Sequence, residues 1–370
     1  MNFDFSEEQK HLQREAHRFL AEQCPAARVR RVIEEGGMFD SPLWRQLMEQ
    51  GWAGLAIPSE CGGAGLGYVE LCVTAEELGR ALAPVPISSS IYLCAEALLI
   101  AGSESQRRRH LPGLAAGTVL GTLAFAEGPG FPGERSVQLE YRSGRLFGTK
   151  WPVADGNAAD VAVVLARAAD GAVGLYLCDL RQPEVARETL KTIDPSRAQA
   201  RLQFQAASCE PLGFGAGWAD FQRTIERAAV LTAFEQIGGA DACLQMAIAY
   251  AKERKAFGRL IGSFQAIKHK LADMYVKNEL ARANAYFGAW ALSVDAPELP
   301  LAAAAARVSA IDAYEFASRE NLHIHGGMGF AWEMDCHLYY RRSRLLAVNL
   351  GSASMWKRRI ADRLETSLAP

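Results

Sequence analysis

The 370-residue chain has no run of apolar residues approaching the roughly 20 that span a bilayer, so a transmembrane helix is excluded. It has no C-x-x-C pair. Its eight cysteines, at positions 24, 61, 72, 94, 178, 209, 243 and 336, are scattered. In a chain this long, such scatter predicts reduced, mostly buried thiols in a cytosolic protein. An excess of one charge sign is also missing. The formal net charge is −2, so nothing advertises a nucleic-acid or anionic-membrane partner. The start, Met1-Asn2-Phe3-Asp4-Phe5-Ser6-Glu7-Glu8, is acidic and lacks an apolar core, which argues against a signal peptide and for a cytoplasmic location. Repeats, low-complexity tracts and long linkers are absent.

What is present is a globular composition, 49% hydrophobic and 22% charged, on a chain long enough for two or three packed modules. Residues 1–117 read as helical. Ser6 with Gln9 makes a capping box, and Leu12, Ala16, Phe19 and Leu20 follow on one helical face. Ser41–Cys61 is a further amphipathic stretch, before a glycine cluster at 62–67. Helical patterns resume over Tyr68–Leu82 and Ile91–Ala101. Residues 118–213 change period. Val137, Leu139 and Tyr141 alternate, and Val161–Ala166 and Val173–Leu177 flank a hairpin signal at Asp170-Gly171. Leu202-Gln203-Phe204 offers another strand. Residues 214–370 return to helix, in long stretches over Trp218–Glu253, Phe264–Val294 and Pro300–His323, a glycine turn and a terminal helix. Long helices joined by short links predict an antiparallel bundle. A small sheet alone buries too little to be stable, so the β segment must pack beside the helices.

Three stretches carry chemistry. Arg254-Lys255-Ala256-Phe257-Gly258 continues through Arg259 to Gln265. Its arginine and aromatic make an anion-and-ring site, because guanidinium grips phosphate oxygens and an aromatic lies against a planar group. The plainer reading is a helix C-terminus, with basic residues offsetting the dipole and Gly258 as the stop. His323-Ile324-His325-Gly326-Gly327-Met328-Gly329-Phe330 permits close backbone approach to a ligand, or is a tight interhelical turn. His323, His325 and His337 lack a carboxylate or cysteine at ligand spacing, so no metal is expected. Lys150-Trp151-Pro152-Val153-Ala154-Asp155-Gly156 lines a cofactor with backbone groups or is a strand end and loop. The runs Arg107–His110 and Lys357–Arg359 read as solvated helix faces.

Together these stretches resemble the acyl-CoA dehydrogenase family across nearly the whole chain. The resemblance rests on Phe5-Ser6-Glu7-Glu8-Gln9, Pro58–Gly65, Glu76-Glu77-Leu78-Gly79-Arg80, Arg254–Gly258 with Phe264-Gln265-Ala266, and His325–Phe330. It implies an α+β multidomain fold: an N-terminal helical domain (1–117), a middle β-barrel-like domain (118–213) and a C-terminal four-helix bundle (214–370). It implies FAD as cofactor and an acyl-CoA substrate, which loses a proton from Cα and a hydride from Cβ to the flavin. By the same resemblance FAD lies partly across a dimer interface, Arg254 holds the FAD diphosphate of the neighbouring subunit, and Phe257 helps seat the dinucleotide. Ile261, Phe264 and Gln265 lie in the flavin-contacting region, Gly326 and Gly327 approach the adenine half, and Ser352 lies near the diphosphate.

The departures are specific. A thioester Cα–H is a weak acid, so the family places a carboxylate against it. One family position for that base, before a Gly-Ser pair, is Leu350 here, and no acid occurs from Ser343 to Ile360. The second position lies on the helix before Arg254, where Gln245 and Met246 stand and no acid occurs from Ala242 to Lys252. Pro152-Val153-Ala154 replaces a flavin-contacting Trp-Ile-Thr, Ala126-Glu127-Gly128 replaces Thr-Glu-Pro, and His323 replaces a glutamine. The stretch from His325 through Tyr339-Tyr340-Arg341-Arg342 resembles a bacterial subgroup whose related subunits pair as heterotetramers, dimers of dimers, acting on bulky acyl-CoAs such as steroid side chains.

Three readings follow. The first is a flavin-dependent subunit whose base comes from a related partner. The second is a homo-oligomer using another acid, with Glu333 nearest but expected to pair with Arg341 or Arg342. The third is a non-catalytic scaffold or acyl-CoA-binding subunit that has lost FAD.

Overall fold

Ser6 opens the first helix. Its hydroxyl accepts from the Gln9 amide while the Gln9 side chain accepts from the Ser6 amide, the reciprocal cap expected from the sequence. This computed structural model describes residues 5–368. Met1–Asp4, which open the stretch read above as unlike a signal peptide, lie outside the described residues. Helix α1 covers Glu7–Gln23, α2 Ala26–Glu35 and α3 Ser41–Glu49, the last capped by Asp40. The amphipathic stretch expected to reach Cys61 stops early. Gly51 takes φ 75°, which no α-helix continues through, and two 3-10 turns follow at Trp52–Gly54 and Ser59–Cys61. Helix α4 is Tyr68–Arg80. The helix expected from Ile91 starts earlier and is π-helical over Ser88–Ala95, before α5 at Glu96–Ala101. Apolar spacing does not separate a π from an α turn, so this was not legible. Helix α6, Glu104–Ala115, carries the basic run Arg107–His110.

Seven strands follow: β1 Gly121–Ala124, β2 Glu140–Arg142, β3 Arg145–Ala154, β4 Val161–Ala168, β5 Val173–Asp179, β6 Val185–Leu190 and β7 Gln199–Pro211. They run in the order β1-β4-β2-β3-β7-β5, and β5 also pairs with β4, so the sheet closes on itself with β6 beside β7. The barrel-like expectation holds. The ring β4-β2-β3-β7-β5 thereby has no open edge, while β1 and β6 each pair on one side only. The interior is filled by alternate residues of the strands, among them Leu146, Val153, Val164, Tyr176, Leu202 and Phe204. The hairpin at Asp170-Gly171 forms as expected. The stretch at Lys150, read as a strand end and loop, lies within β3 as far as Ala154.

The third part is helical: α7 Trp218–Glu253, α8 Gln265–Ser293, α9 Leu299–His325, α10 Cys336–Leu346 and α11 Ala353–Leu368. Pro300 sits in the first turn of α9, where its missing N–H costs nothing. Helix α9 packs against α8, α10 and α11. Its buried positions include a run of alanines, Ala302, Ala303, Ala306, Ala310, Ala313 and Ala317 among them, which lets neighbouring helices approach closely. Trp356 of α11 is fully buried, worth roughly 2–3 kcal/mol by area.

The packing divides into two compact units. One combines the described residues up to Ala27 with Cys72–Ala83 and everything from Ala229 onward. The other combines Arg28–Leu71 with Pro84–Ala228 and contains the barrel. All eight cysteines are free thiols and seven are buried. Among the described residues no helix is long and apolar enough to cross a membrane.

Candidate functional site

Helix α7 ends at Glu253, one residue before the arginine that the motif singles out. The chain does not simply stop at Gly258 as a helix terminus would. It forms a two-stranded hairpin, β8 (Lys255–Ala256) against β9 (Arg259–Leu260), with Phe257 at φ 51° and Gly258 at φ 78° as its two turn residues. Positive φ at both positions is what a tight hairpin turn requires. Glycine adopts it freely, whereas a bulky aromatic does so rarely. The result is a phenyl ring held 96% exposed at the tip.

The hairpin leads straight into α8. A 3-10 turn over Ile261–Ser263 buries Ile261, and Phe264 caps α8 with no side-chain hydrogen bond. The positive end of a 29-residue helix is thus uncapped, with exposed Gln265 as its first residue. Phe264 meets Phe257 edge-on at 6.3 Å and carries the Arg259 guanidinium 4.0 Å above its ring. Arg254 is exposed, and no carboxylate pairs with it among the described residues. A guanidinium without an internal partner can grip a phosphate.

The second motif lies beside the first. Tyr250, on the last turn of α7, stacks on His325 at 4.1 Å. His325 is buried, and its Nδ1 donates to the Asn321 carbonyl at 2.9 Å. Burial pushes its pKa below the ordinary value, so the ring is neutral and structural. Ile261 and Phe264 share one apolar cluster with Ile324 and Leu346. Gly326 and Gly327 then face open space: a Cβ at either would meet nothing within 4 Å. Exposed Met328, Phe330 and Trp332 follow.

Other expected residues lie elsewhere. His323 is exposed and turns to Glu320 at 3.4 Å, which Lys270 also contacts. Burial opposes ionisation of Glu320, but the bonds from Lys270 and His323 outweigh it and hold the carboxyl below its ordinary pKa. Ser352 is exposed and accepts from the Met355 amide at 3.3 Å, a cap for α11. Leu350 is 2% exposed, and its carbonyl accepts from Trp356 Nε1 at 3.0 Å. The segment is also gripped by Arg307, fully buried, which donates to Gln236, to the Leu346 carbonyl and to Asn349 Oδ1 at 2.7 Å. Burial pushes the Arg307 guanidinium down to about 9, against Glu235. On α7, Gln245 is exposed and Met246 accepts from Asn321 at 3.9 Å through sulfur.

Glu333 does not form the expected ion pair. It is exposed, while buried Arg342 donates to the Leu82 carbonyl at 3.3 Å. Sequence reasoning also missed a pair inside the barrel. Lys150 is fully buried and donates to Glu127 at 2.6 Å and to the Phe125 carbonyl at 3.2 Å. Glu127 also accepts from the Gln138 and Leu139 amides. Burial pushes Lys150 down to about 8, with Glu127 opposing. Only a lysine flanked by strand residues hinted at this.

Comparison with known proteins places this arrangement. Residues 6–118 match the acyl-CoA dehydrogenase N-terminal domain and residues 215–365 the acyl-CoA dehydrogenase C-terminal domain. The chain is 35% identical over 365 residues to acyl-CoA dehydrogenase IpdE2 of Mycobacterium tuberculosis, covering 98% of each. It is 32% identical to a chain of the Tcur3481–Tcur3483 steroid ACAD, with a TM-score of 0.88 over 98% of this chain and 99% of that one. To a chain of the ChsE4–ChsE5 complex from Mycobacterium tuberculosis it is 27% identical, with a TM-score of 0.88 over 100% of both. The chain belongs to the acyl-CoA dehydrogenase family, whose members are FAD flavoproteins and oxidoreductases acting on CH–CH groups.

Proposed function

We propose that this chain is one subunit of a cytoplasmic, FAD-dependent acyl-CoA dehydrogenase hetero-oligomer and takes its catalytic base from a related partner subunit. One observation carries the reading: an unpaired, exposed Arg254 stands beside an exposed Phe257, while the base position holds a buried leucine. The phosphate-gripping half of a dinucleotide site is intact and the proton acceptor is missing.

The residues present fit FAD. Arg254 and the uncapped start of α8 offer positive charge to the diphosphate, with Gln265 as a hydrogen-bonding group. Phe257, Ile261 and Phe264 offer apolar surface, and Gly326 and Gly327 leave room for close backbone approach. Ser352 and His323 are assigned to the same cofactor as outer contacts. Bound FAD supplies the hydride acceptor. The chain itself binds and orients, and it supplies no carboxylate from 343 to 360. The assignment keeps the division at 117 and 213, and takes the assembly as a dimer of dimers. The steroid ACAD and the ChsE4–ChsE5 complex named above support a partner and a bulky acyl-CoA substrate.

The visible spectrum of the chain, purified alone and together with a related dehydrogenase subunit, tests this reading. Bound-flavin absorbance in the mixture is expected. A colourless mixture would favour a scaffold or acyl-CoA-binding subunit instead.

A further inference from the structure

In the closed sheet, β5 and β7 pair over only three residues a side: Tyr176 with Pro211, Leu177 with Glu210, and Cys178 with Cys209. The two cysteines stand directly opposite one another, hence on one face of the sheet. The Cys209 amide donates to the Gly144 carbonyl at 3.0 Å, away from β5. The Leu212 amide donates to the Leu175 carbonyl at 2.9 Å. By strand alternation Cys178, three residues on from Leu175, turns its own backbone groups away from β7. The two cysteines are therefore a non-hydrogen-bonded pair, whose Cα atoms lie about 4.5 Å apart, within the span a disulfide bridges. The Cys178 sulfur lies 3.5 Å from the carbonyl of Ser208, next to Cys209, and both cysteines belong to one packed cluster.

We propose that Cys178 and Cys209 are an oxidative modification site, closing a reversible cross-strand disulfide by exchange with a low-molecular-weight disulfide. Cys178 is fully buried and Cys209 is half-buried, so Cys209 reacts first. Its sulfur attacks one sulfur of the small disulfide. That bond breaks, and one small thiol leaves with the proton Cys209 gives up. The Cys178 sulfur then attacks the Cys209 sulfur, and the second small thiol leaves with the Cys178 proton. Two protein thiols are oxidised by two electrons, and one small disulfide is reduced to two thiols. Burial, aided by their mutual proximity for Cys178 and by Glu210 for Cys209, raises both thiols to about 12. Exchange is therefore slow at neutral pH and quickens about tenfold per pH unit below that value, as the thiolate fraction does. The bond ties one of the short seams of the barrel. The inference is independent of flavin or partner.

The test uses the full chain, reduced and then incubated with excess oxidised glutathione. It is quenched in acid, unfolded, alkylated and digested for mass spectrometry. A linked Cys178–Cys209 peptide, lighter by two hydrogens, is expected, with the other six thiols alkylated. The link should form faster from pH 7 to pH 9 and be absent from Cys209→Ser. Free Cys178 and Cys209 after prolonged exposure at pH 9 would overturn the proposal. So would a glutathione adduct on Cys209 that Cys178 never resolves.

Discussion

Gly79 and Gly238 make reciprocal backbone approaches between α4 and α7. A Cβ on Gly79 would lie 1.9 Å from the Glu235 carbonyl oxygen, and one on Gly238 would lie 1.8 Å from that of Glu76. Neither obstacle is a side chain that can swing aside. Gly79→Ala and Gly238→Ala are each expected to cost about 3 kcal/mol or more by forcing the helices apart. Urea unfolding measures the loss. A change under about 0.5 kcal/mol would show that the helices separate easily.

Beside this crossing lies a buried charge cluster that Arg282 of α8 joins. Glu76 is fully buried and accepts from Arg80 at 3.3 Å and from Arg282. Burial raises its pKa, with both arginines opposing. Removing one arginine leaves a buried carboxyl short of its partner. Arg282→Met is expected to destabilise by about 3 kcal/mol, and Glu76→Gln in the same background to recover part of it. Strict additivity of the two substitutions would rule the coupling out.

Lys150 gives a pH signature. Its folded pKa, about 8, lies below the value of roughly 10.4 for a free lysine. Between these values the unfolded chain binds more protons than the folded one. This group therefore makes stability rise with pH across that window, and its penalty is fully present below pH 8. Denaturant unfolding from pH 7 to pH 10 should show a shallower rise, or a steeper fall, in Lys150→Met than in the parent chain. Parallel profiles would mean Lys150 titrates normally.

The exposed hairpin separates binding from folding. Arg254→Gln removes an exposed side chain with no internal ion pair among the described residues, and Phe257→Ala removes a ring that is 96% exposed and has only an edge contact with Phe264, so melting temperatures should stay within a degree or so. FAD affinity of the assembly should fall about 10- to 100-fold for Arg254→Gln, the worth of a charge-assisted phosphate contact. Equilibrium dialysis of the flavin reads this, and an unchanged affinity would remove Arg254 from the site.

How much of this was readable varies with length. The limits of α7 were legible because 36 residues repeat their apolar spacing many times. Strands β4 and β5 were legible from their β-rich runs and the Asp170-Gly171 turn, and part of β7 from Leu202-Gln203-Phe204, whereas β1 and β6, short and without a turn signal of their own, were not. The hairpin at Phe257 was not, because two-residue strands have no period and nothing in a phenylalanine announces positive φ. The Glu127–Lys150 pair was invisible because it joins distant strand positions. Glu333 was misassigned because charge proximity along the chain says nothing about Arg342, which folding turns inward to the Leu82 carbonyl. The site's motifs were legible as motifs, and Leu350 as a missing acid, but its burial came only from packing.

Turnover of a bulky acyl-CoA with an artificial electron acceptor tests the central claim most directly. The chain alone, the related dehydrogenase subunit alone, and the two co-purified are assayed at equal flavin content. Activity confined to the co-purified pair, and abolished by removing the partner's carboxylate, is the predicted result. Full turnover by this chain alone would contradict it.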